Sequence, residues 1–401
     1  MKLDVVDTLC ELVRIPSVNP MGRDVSGEIY FEHRVTQYLE SLFRRLDLPF
    51  ERYVVSPQRD NIIVRVDGDI APERGGKIVM FEAHQDTVPV DGMTIEPFNP
   101  AICDGKLYGR GSCDIKGGMA AMLAAIARLA SEKPAGRPTV VMACTVNEEH
   151  GFSGATHWAT AYSDAAVPQR SKLLPRVPDA TIVAEPTKMN VVVAHKGALR
   201  WRCHTSGVAT HSSQPHLGDN AVYHMARVLQ VFERYAKEAV PQLGEHPLVG
   251  RPTLSVGTIA GGISVNTVPD RCTIEIDRRV LPGESPDSAF QHVVDYMQKH
   301  LPPGTPVTQE RPFMRTFGLS DTHNGPLGKR LGEAIRAHGG PGEQIGVPFG
   351  TDAPHFAATG SPTVVFGPGS IDQAHTADEW IPIDQLRSAA DILYDFARQA
   401  F

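Results

Sequence analysis

The stretch KIVMFEAHQD, residues 77–86, decides how this chain folds. Its first half is a short, nearly continuous apolar run, the pattern of a strand buried on both faces. Its second half delivers His84 and Asp86 just where that strand ends. The pattern recurs outward along the chain. TVVMACTV (139–146) runs into Glu148 and Glu149, ATIVA (180–184) into Glu185, and PTVVF (362–366) into a Gly-rich loop that reaches His375. Helical patterns lie between them: 28–46, 117–130 and 383–400. Strands alternating with helices predict an α/β layer fold with a mostly parallel sheet. In such sheets ligands gather outside the carboxyl ends of the strands, and the polar clusters follow that rule. Asp114 joins them from the loop YGRGSCDIKGG (108–118), just before the helix that contains Met119 to Ala130.

The composition fits an enzyme-sized globular body. At 401 residues, with 41% hydrophobic and 21% charged residues, the chain suits two domains. Lys and Arg total 39 against 46 Asp and Glu, a net charge of -7, and no basic block interleaves with aromatics, which argues against a nucleic-acid partner. The start, MKLDVVDTLCELVRIP, carries acidic residues where a secretory signal needs an apolar core, and the apolar run Met119–Ala130 is too short to span a bilayer. The expectation is a soluble cytoplasmic protein without membrane association. Cys10, Cys103, Cys113, Cys144, Cys203 and Cys272 are scattered, with no C-x-x-C pair, and read as reduced buried thiols. There are no heptads or repeats. The Pro-rich stretches 169–178 and 301–312 read as connections.

Five residues of metal-ligand type, His84, Asp114, Glu149, Glu185 and His375, thus converge on one sheet edge. His, Asp and Glu together, without Cys, match a catalytic metal site that keeps an open coordination position. Two ions about 3.5–4 Å apart can share a bridging carboxylate, polarise a carbonyl and acidify water. Neighbouring Glu148 and Glu149 cannot both point the same way from extended backbone. If the chain turns there, one binds metal while the other serves as general base, a role worth roughly 10²–10⁴ in rate. Asp86, two residues after His84, is placed to accept the second imidazole N–H. HGFSG (150–154) lacks the spacing of a nucleophile elbow, and GRGSCD (109–114) lacks the third Gly of a dinucleotide loop.

AHQDTVP, YGRGSCDIKGGMAA, NEEHGFSGA, AEPT and GPGSIDQAHTADEW, in this order along nearly the whole chain, resemble the M20 metallopeptidase family, which includes acetylornithine deacetylases, succinyl-diaminopimelate desuccinylases, aminoacylases and carboxypeptidases. The resemblance implies that His84 and Glu185 hold one ion, Glu149 and His375 the other, and that Asp114 bridges them. It makes Glu148 the general base and Asp86 the residue that orients His84. Ala83 stands where the family usually has Gly, and Cys113 precedes the bridging Asp; neither removes a donor.

The resemblance also implies a catalytic domain of residues 1–196 and 314–401, with a second α/β lid or dimerisation domain, 197–313, inserted into it. The lid's polar signals are His211, Asn266 and Arg279, which in the family help hold the substrate carboxylate and the oxyanion; a planar guanidinium suits a carboxylate. The reaction expected is removal of an N-acyl group from a small amino acid, acetylornithine-deacetylase-like, with two divalent ions, zinc or alternatively cobalt. The alternatives are a carboxypeptidase or dipeptidase acting on short peptides, and a metal-binding relative without catalysis. The intact Glu148 argues against the last. A homodimer is expected, with His211 reaching the neighbouring chain's site.

Overall fold

The computed structural model of the protein describes residues 2–163 and 171–399. The chain divides into two compact units, Met1–Val193 with Asp321–Ile345 and Thr351–Phe401, and Ala194–Ser320 with Gly346–Gly350. The second break lies beyond residue 313 because the strand Met314–Thr316 pairs with Ala198–Arg200, which gives these residues to the smaller unit.

In the larger unit, Ile78–His84 sits between Thr139–Thr145 and Ala180–Val183, parallel to both, and Thr363–Val365 extends the parallel set. These are the four strands expected from the apolar runs. The eight-stranded sheet they belong to is mixed rather than mostly parallel: Phe50–Ser56 and Arg59–Val66 form an antiparallel hairpin added at Thr139–Thr145, and Val191–His195 runs antiparallel to Thr363–Val365. A connection as short as the one between Ser56 and Arg59 can only join antiparallel strands. The parallel core still places its carboxyl ends on one edge.

Alternation divides each core strand between two faces. Val79, Phe81 and Ala83 face an apolar cluster shared with the helices Val5–Val13, His33–Arg45, Lys116–Glu132 and Ile383–Ala397. Met80, Glu82 and His84 fall on the opposite face. Lys116–Glu132 is apolar on nearly every side and correspondingly buried. Gly118 lets this helix approach the Ala180–Val183 strand end, since a Cβ there would lie 2.9 Å from the Ala184 Cβ. The first turn of the helix is thereby pinned beside both Asp114 and Glu185.

Two helices depart from their expected limits. The second begins at His33 rather than 28, because Ile29 and Phe31 exchange backbone hydrogen bonds with Val18 and Phe31 adopts a φ of 66°. The last is described as Ile383–Ala397; residue 400 lies outside the described residues, as do 169 and 170 of the first Pro-rich connection. The second Pro-rich stretch is not wholly a connection, for Val307–Gln309 pairs with Cys203–Thr205.

The smaller unit is an antiparallel sheet, with Arg271–Val280 between Thr253–Gly261 and Gly197–Ser206, backed by the helices Ala221–Arg234 and Pro286–His300. Its separate apolar cluster includes Trp201, Phe232, Ile274 and Val293. Asn220 and Ser285 cap the two helices through their side-chain oxygens, and Pro286 takes the first helical position. Among the described residues no helix is long and apolar enough to cross a membrane.

Candidate active site

The larger unit brings the five expected donors together. Asp114 lies at the centre: its Oδ1 is 3.3 Å from His84 Nε2 and its Oδ2 is 3.2 Å from His375 Nε2. Glu185 Oε1 stands 4.0 Å from the same His84 nitrogen, and Glu149 Oε2 is 3.3 Å from the same His375 nitrogen. One carboxylate thus presents an oxygen to each of two His–Glu pairs. The ligand atoms of His84, Asp114 and Glu149 all lie within 4.8 Å of one another.

The local backbone produces this convergence. His84 ends its strand, and Glu185 follows two residues after the end of Ala180–Val183. His375 has a φ of 61° at a turn in the loop after Thr363–Val365, and its side chain is 52% exposed, so this ligand position opens toward solvent. The chain turns sharply at Asn147, φ 63°, so Glu148 and Glu149 lie in a turn rather than on extended backbone. Glu149 turns to His375, while the buried Glu148 carboxylate remains in the electrostatic field of His84 and Glu185.

Asp86 requires a correction. His84 Nδ1 donates to the Asp86 backbone carbonyl at 3.0 Å, and the carboxylate lies farther off at 3.6 Å. A carbonyl only accepts, so Nδ1 carries a proton and Nε2 is the atom turned toward Asp114. The Asp86 carboxylate instead accepts the backbone N–H groups of Glu148 and Glu149, each at 3.1 Å, and the Asn19 amide at 2.7 Å. It holds the turn that presents both glutamates.

The electrostatics call for cations. Burial raises the Glu148, Glu149 and Glu185 carboxyls above their usual range, and the neighbouring carboxylates push further. Burial also disfavours the Asp114 anion, but the two imidazoles at its oxygens overcome this and hold its carboxyl well below the usual range. Burial would lower His375, yet Asp114 and Glu149 push it up to about 11. Here imidazolium charge does what a bound ion would do. His84 Nε2 and Glu149 Oε1 are buried without a hydrogen-bond partner, as expected of atoms shaped to ligate. The residues therefore fit a pair of divalent ions: His84 and Glu185 for one, Glu149 and His375 for the other, Asp114 for both.

Several buried polar residues around the donors carried no distinct sequence signal. Glu379 accepts from Arg110 and from the N–H groups of Gly111, Cys113 and Asp114. Glu32 accepts from Arg59 and from the Asn147 N–H. The Thr145 hydroxyl lies between the Glu82 and Asp352 carboxyls, in hydrogen-bonding contact with both, and burial raises both carboxyls, Asp352 to about 7. The Cys113 thiol is committed to the Ser370 carbonyl at 3.3 Å, and burial pushes it well up, so it is no nucleophile.

In the smaller unit, His211 and Asn266 lie together on a two-stranded ribbon, where Ser212 N–H donates to the Asn266 carbonyl and His211 opposes Thr267. Both are exposed. His211 Nδ1 lies 2.7 Å from the Ser213 hydroxyl oxygen and 3.2 Å from the Ser213 backbone nitrogen, so this side of the ring is turned to its own chain. Arg279 is elsewhere. The ribbon leads into the Arg271 end of the strand Arg271–Val280, while Arg279 lies near its other end, opposite Thr253 and Ala198. Eight residue steps of about 3.3 Å separate those ends, roughly 26 Å. Arg279 donates through Nε to Asp277 at 2.7 Å, the surface pairing its sequence neighbours allow.

A parallel-sheet edge with two histidines, buried carboxylates and an adjoining unligated glutamate defines a hydrolase that works with bound cations. Residues 80–399 match the family described as Peptidase family M20/M25/M40. Acetylornithine deacetylase of Vibrio campbellii is 30% identical over 98% of this chain and 96% of its own length. A "Probable succinyl-diaminopimelate desuccinylase" of Staphylococcus aureus is 27% identical over 89% of this chain and 90% of its own. Among solved structures, the M20 family metallo-carboxypeptidase Sso-CP2 of Sulfolobus solfataricus superposes with a TM-score of 0.76 at 18% identity, covering 99% of each chain. The chain belongs to the M20 family and is a hydrolase of amide bonds.

Proposed function

We propose that this enzyme is a two-metal amidohydrolase that removes an N-acyl group from a small amino acid, in the manner of an acetylornithine deacetylase. The observation that carries the two-ion reading is the placement of Asp114, one oxygen toward each His–Glu pair. Ions bound there, zinc by preference and cobalt as a substitute, supply Lewis acidity to the scissile carbonyl and to water. Glu148 takes the proton from the attacking water and returns it to the departing amine, a shuttle suited to a carboxyl whose affinity for protons burial has raised. The relatives named as deacetylase and desuccinylase favour acyl removal. An assay panel of N-acetyl amino acids, N-succinyl amino acids and dipeptides, with added zinc or cobalt, tests this. Fastest turnover of an N-acetyl amino acid is expected; exclusive cleavage of dipeptides would replace the deacylase with a dipeptidase.

The smaller unit, residues 197–313 in the first reading, is proposed as a lid and dimerisation domain. The distance between Arg279 and the His211–Asn266 ribbon is too long for one small substrate to span within one chain. A homodimer resolves this if each chain's Arg279 serves one substrate carboxylate and its His211 serves the partner's oxyanion. With Nδ1 of His211 turned to Ser213, such a role calls on Nε2–H as the donor. Co-expression of His211→Ala with Glu148→Gln tests it: in a hybrid dimer acting in trans, one of the two sites is whole. Activity in the hybrid above either parent is expected, and a hybrid as inactive as both parents would end the proposal.

A further inference from the structure

We propose that Glu379 is a positioning residue that locks the bridging Asp114 to the loop carrying His375, so that the ion held by Glu149 and His375 depends on it more than the ion held by His84 and Glu185 does. Glu379 is fully buried and lies four residues after His375. Its Oε1 accepts the N–H groups of Cys113 and Asp114 at 2.9 and 3.0 Å, and its Oε2 accepts the Gly111 N–H at 3.0 Å and Arg110 Nη1 at 2.6 Å. Arg110 is anchored in turn to the Pro89 carbonyl at 3.0 Å. The backbone also couples the two loops, since the Gly109 N–H donates to the Glu379 carbonyl at 3.0 Å. One short segment thus delivers a ligand at residue 375 and, one helical-turn's worth of sequence later, gathers the backbone donors of the loop that delivers the bridging ligand.

The asymmetry follows from which donors the clamp touches. Loosening it disturbs Asp114 and His375 together, two of the three donors to one ion. For the other ion it disturbs Asp114 alone, because His84 and Glu185 leave separate strand ends. Charge and length both matter in a carboxylate that accepts four donors. Glutamine would turn an amide NH2 against N–H donors, and aspartate would fall short of one pair.

This inference rests on the two-ion reading, and the test separates the two. Stepwise metal binding is measured by calorimetry and by cobalt visible spectra on metal-stripped wild type, Glu379→Gln, Glu379→Asp and the core control Ile335→Val, with thermal unfolding of each apo protein. Wild type is expected to bind two ions; a single ion would sink the two-ion reading itself. Glu379→Gln is expected to bind one of its two ions roughly 10- to 100-fold more weakly, the usual loss for an outer partner of a ligand, with the other ion's affinity changed less than threefold and the weakened ion identified by the cobalt spectra of Glu149→Gln as the one held by Glu149 and His375. Glu379→Asp should fall between, and excess metal should restore kcat in both with little change in KM. The control, destabilised through the core, should keep both affinities. Wild-type binding of both ions by Glu379→Gln, or equal weakening of the two, would overturn the proposal.

Discussion

The two units handle their polar residues in opposite ways. In the larger one, five donors from separate strand ends and loops meet within a few ångströms, and His84, Asp114 and Glu185 are buried. In the smaller one, His211 and Asn266 are exposed at one end of a strand, and Arg279 sits near the other, tied to Asp277. A buried cluster of like charges is costly unless something neutralises it, so the first arrangement is a site in its own right. Exposed residues set far apart carry no comparable demand for neutralisation. The difference separates a self-contained cluster in one unit from polar residues that form no cluster of their own in the other.

Glu148→Gln should give the largest effect, a kcat loss of roughly 10²–10⁴ with both ions retained by elemental analysis. Glu149→Gln should instead lose metal, and equal metal loss in the two variants would show that the adjacent glutamates have been assigned the wrong way round. His211→Ala probes the other side of the comparison. It should lower kcat by about 10²–10³, the scale of removing one oxyanion donor, while metal content stays intact. Loss of metal in that variant would mean the smaller unit belongs to the ligand set after all.

The sequence made the donors legible because each follows a recognisable strand end. His84, Glu149 and Glu185 stand within four residues of one, and His375 closes a Gly-rich loop. The partners behind them were not legible. Glu379 and Glu32 are single carboxylates in irregular segments, and only the folded backbone reveals that N–H groups from distant loops converge on them. Asp86 stands out by its spacing from His84, yet its carboxylate serves the Glu148–Glu149 turn, and nothing in the local sequence links that turn at Asn147, a residue tolerant of positive φ, to a carboxylate about sixty residues earlier. The hairpin of Phe50–Ser56 and Arg59–Val66 is masked in the sequence for a related reason. Arg59, Asp60 and Asn61 open a strand and are buried, satisfied by ion pairs and by a hydrogen bond from the Asn61 amide to the Gly154 carbonyl, while Val54 of its partner strand is 72% exposed, reversing the usual pattern.

Asp86→Ala should weaken metal binding by roughly 10- to 100-fold and should shift Glu148 and Glu149 together, visible as a joint fall in metal affinity and kcat. Unchanged affinity would confine Asp86 to folding. The smallest effect concerns acid. Burial lowers His355 in the larger unit to about 4, so the unfolded chain takes up a proton there before the folded one does. His355 alone should therefore destabilise the metal-free protein as pH drops from about 6.5 toward 4, opposing the buried carboxyls, whose raised proton affinity favours the folded state over the same window. His355→Gln should make the metal-free protein more resistant to acid than wild type in denaturant melts across that window. An identical pH dependence in the two would contradict the assignment to His355.

The central claim is that Asp114 joins two ions. Anomalous diffraction from crystals of zinc-loaded protein measures it directly. The account requires two peaks per chain about 3.5–4 Å apart, with one Asp114 oxygen on each, His84 and Glu185 beside the first, and Glu149 and His375 beside the second. A single peak in fully loaded protein, or an Asp114 carboxylate in contact with neither ion, would contradict it.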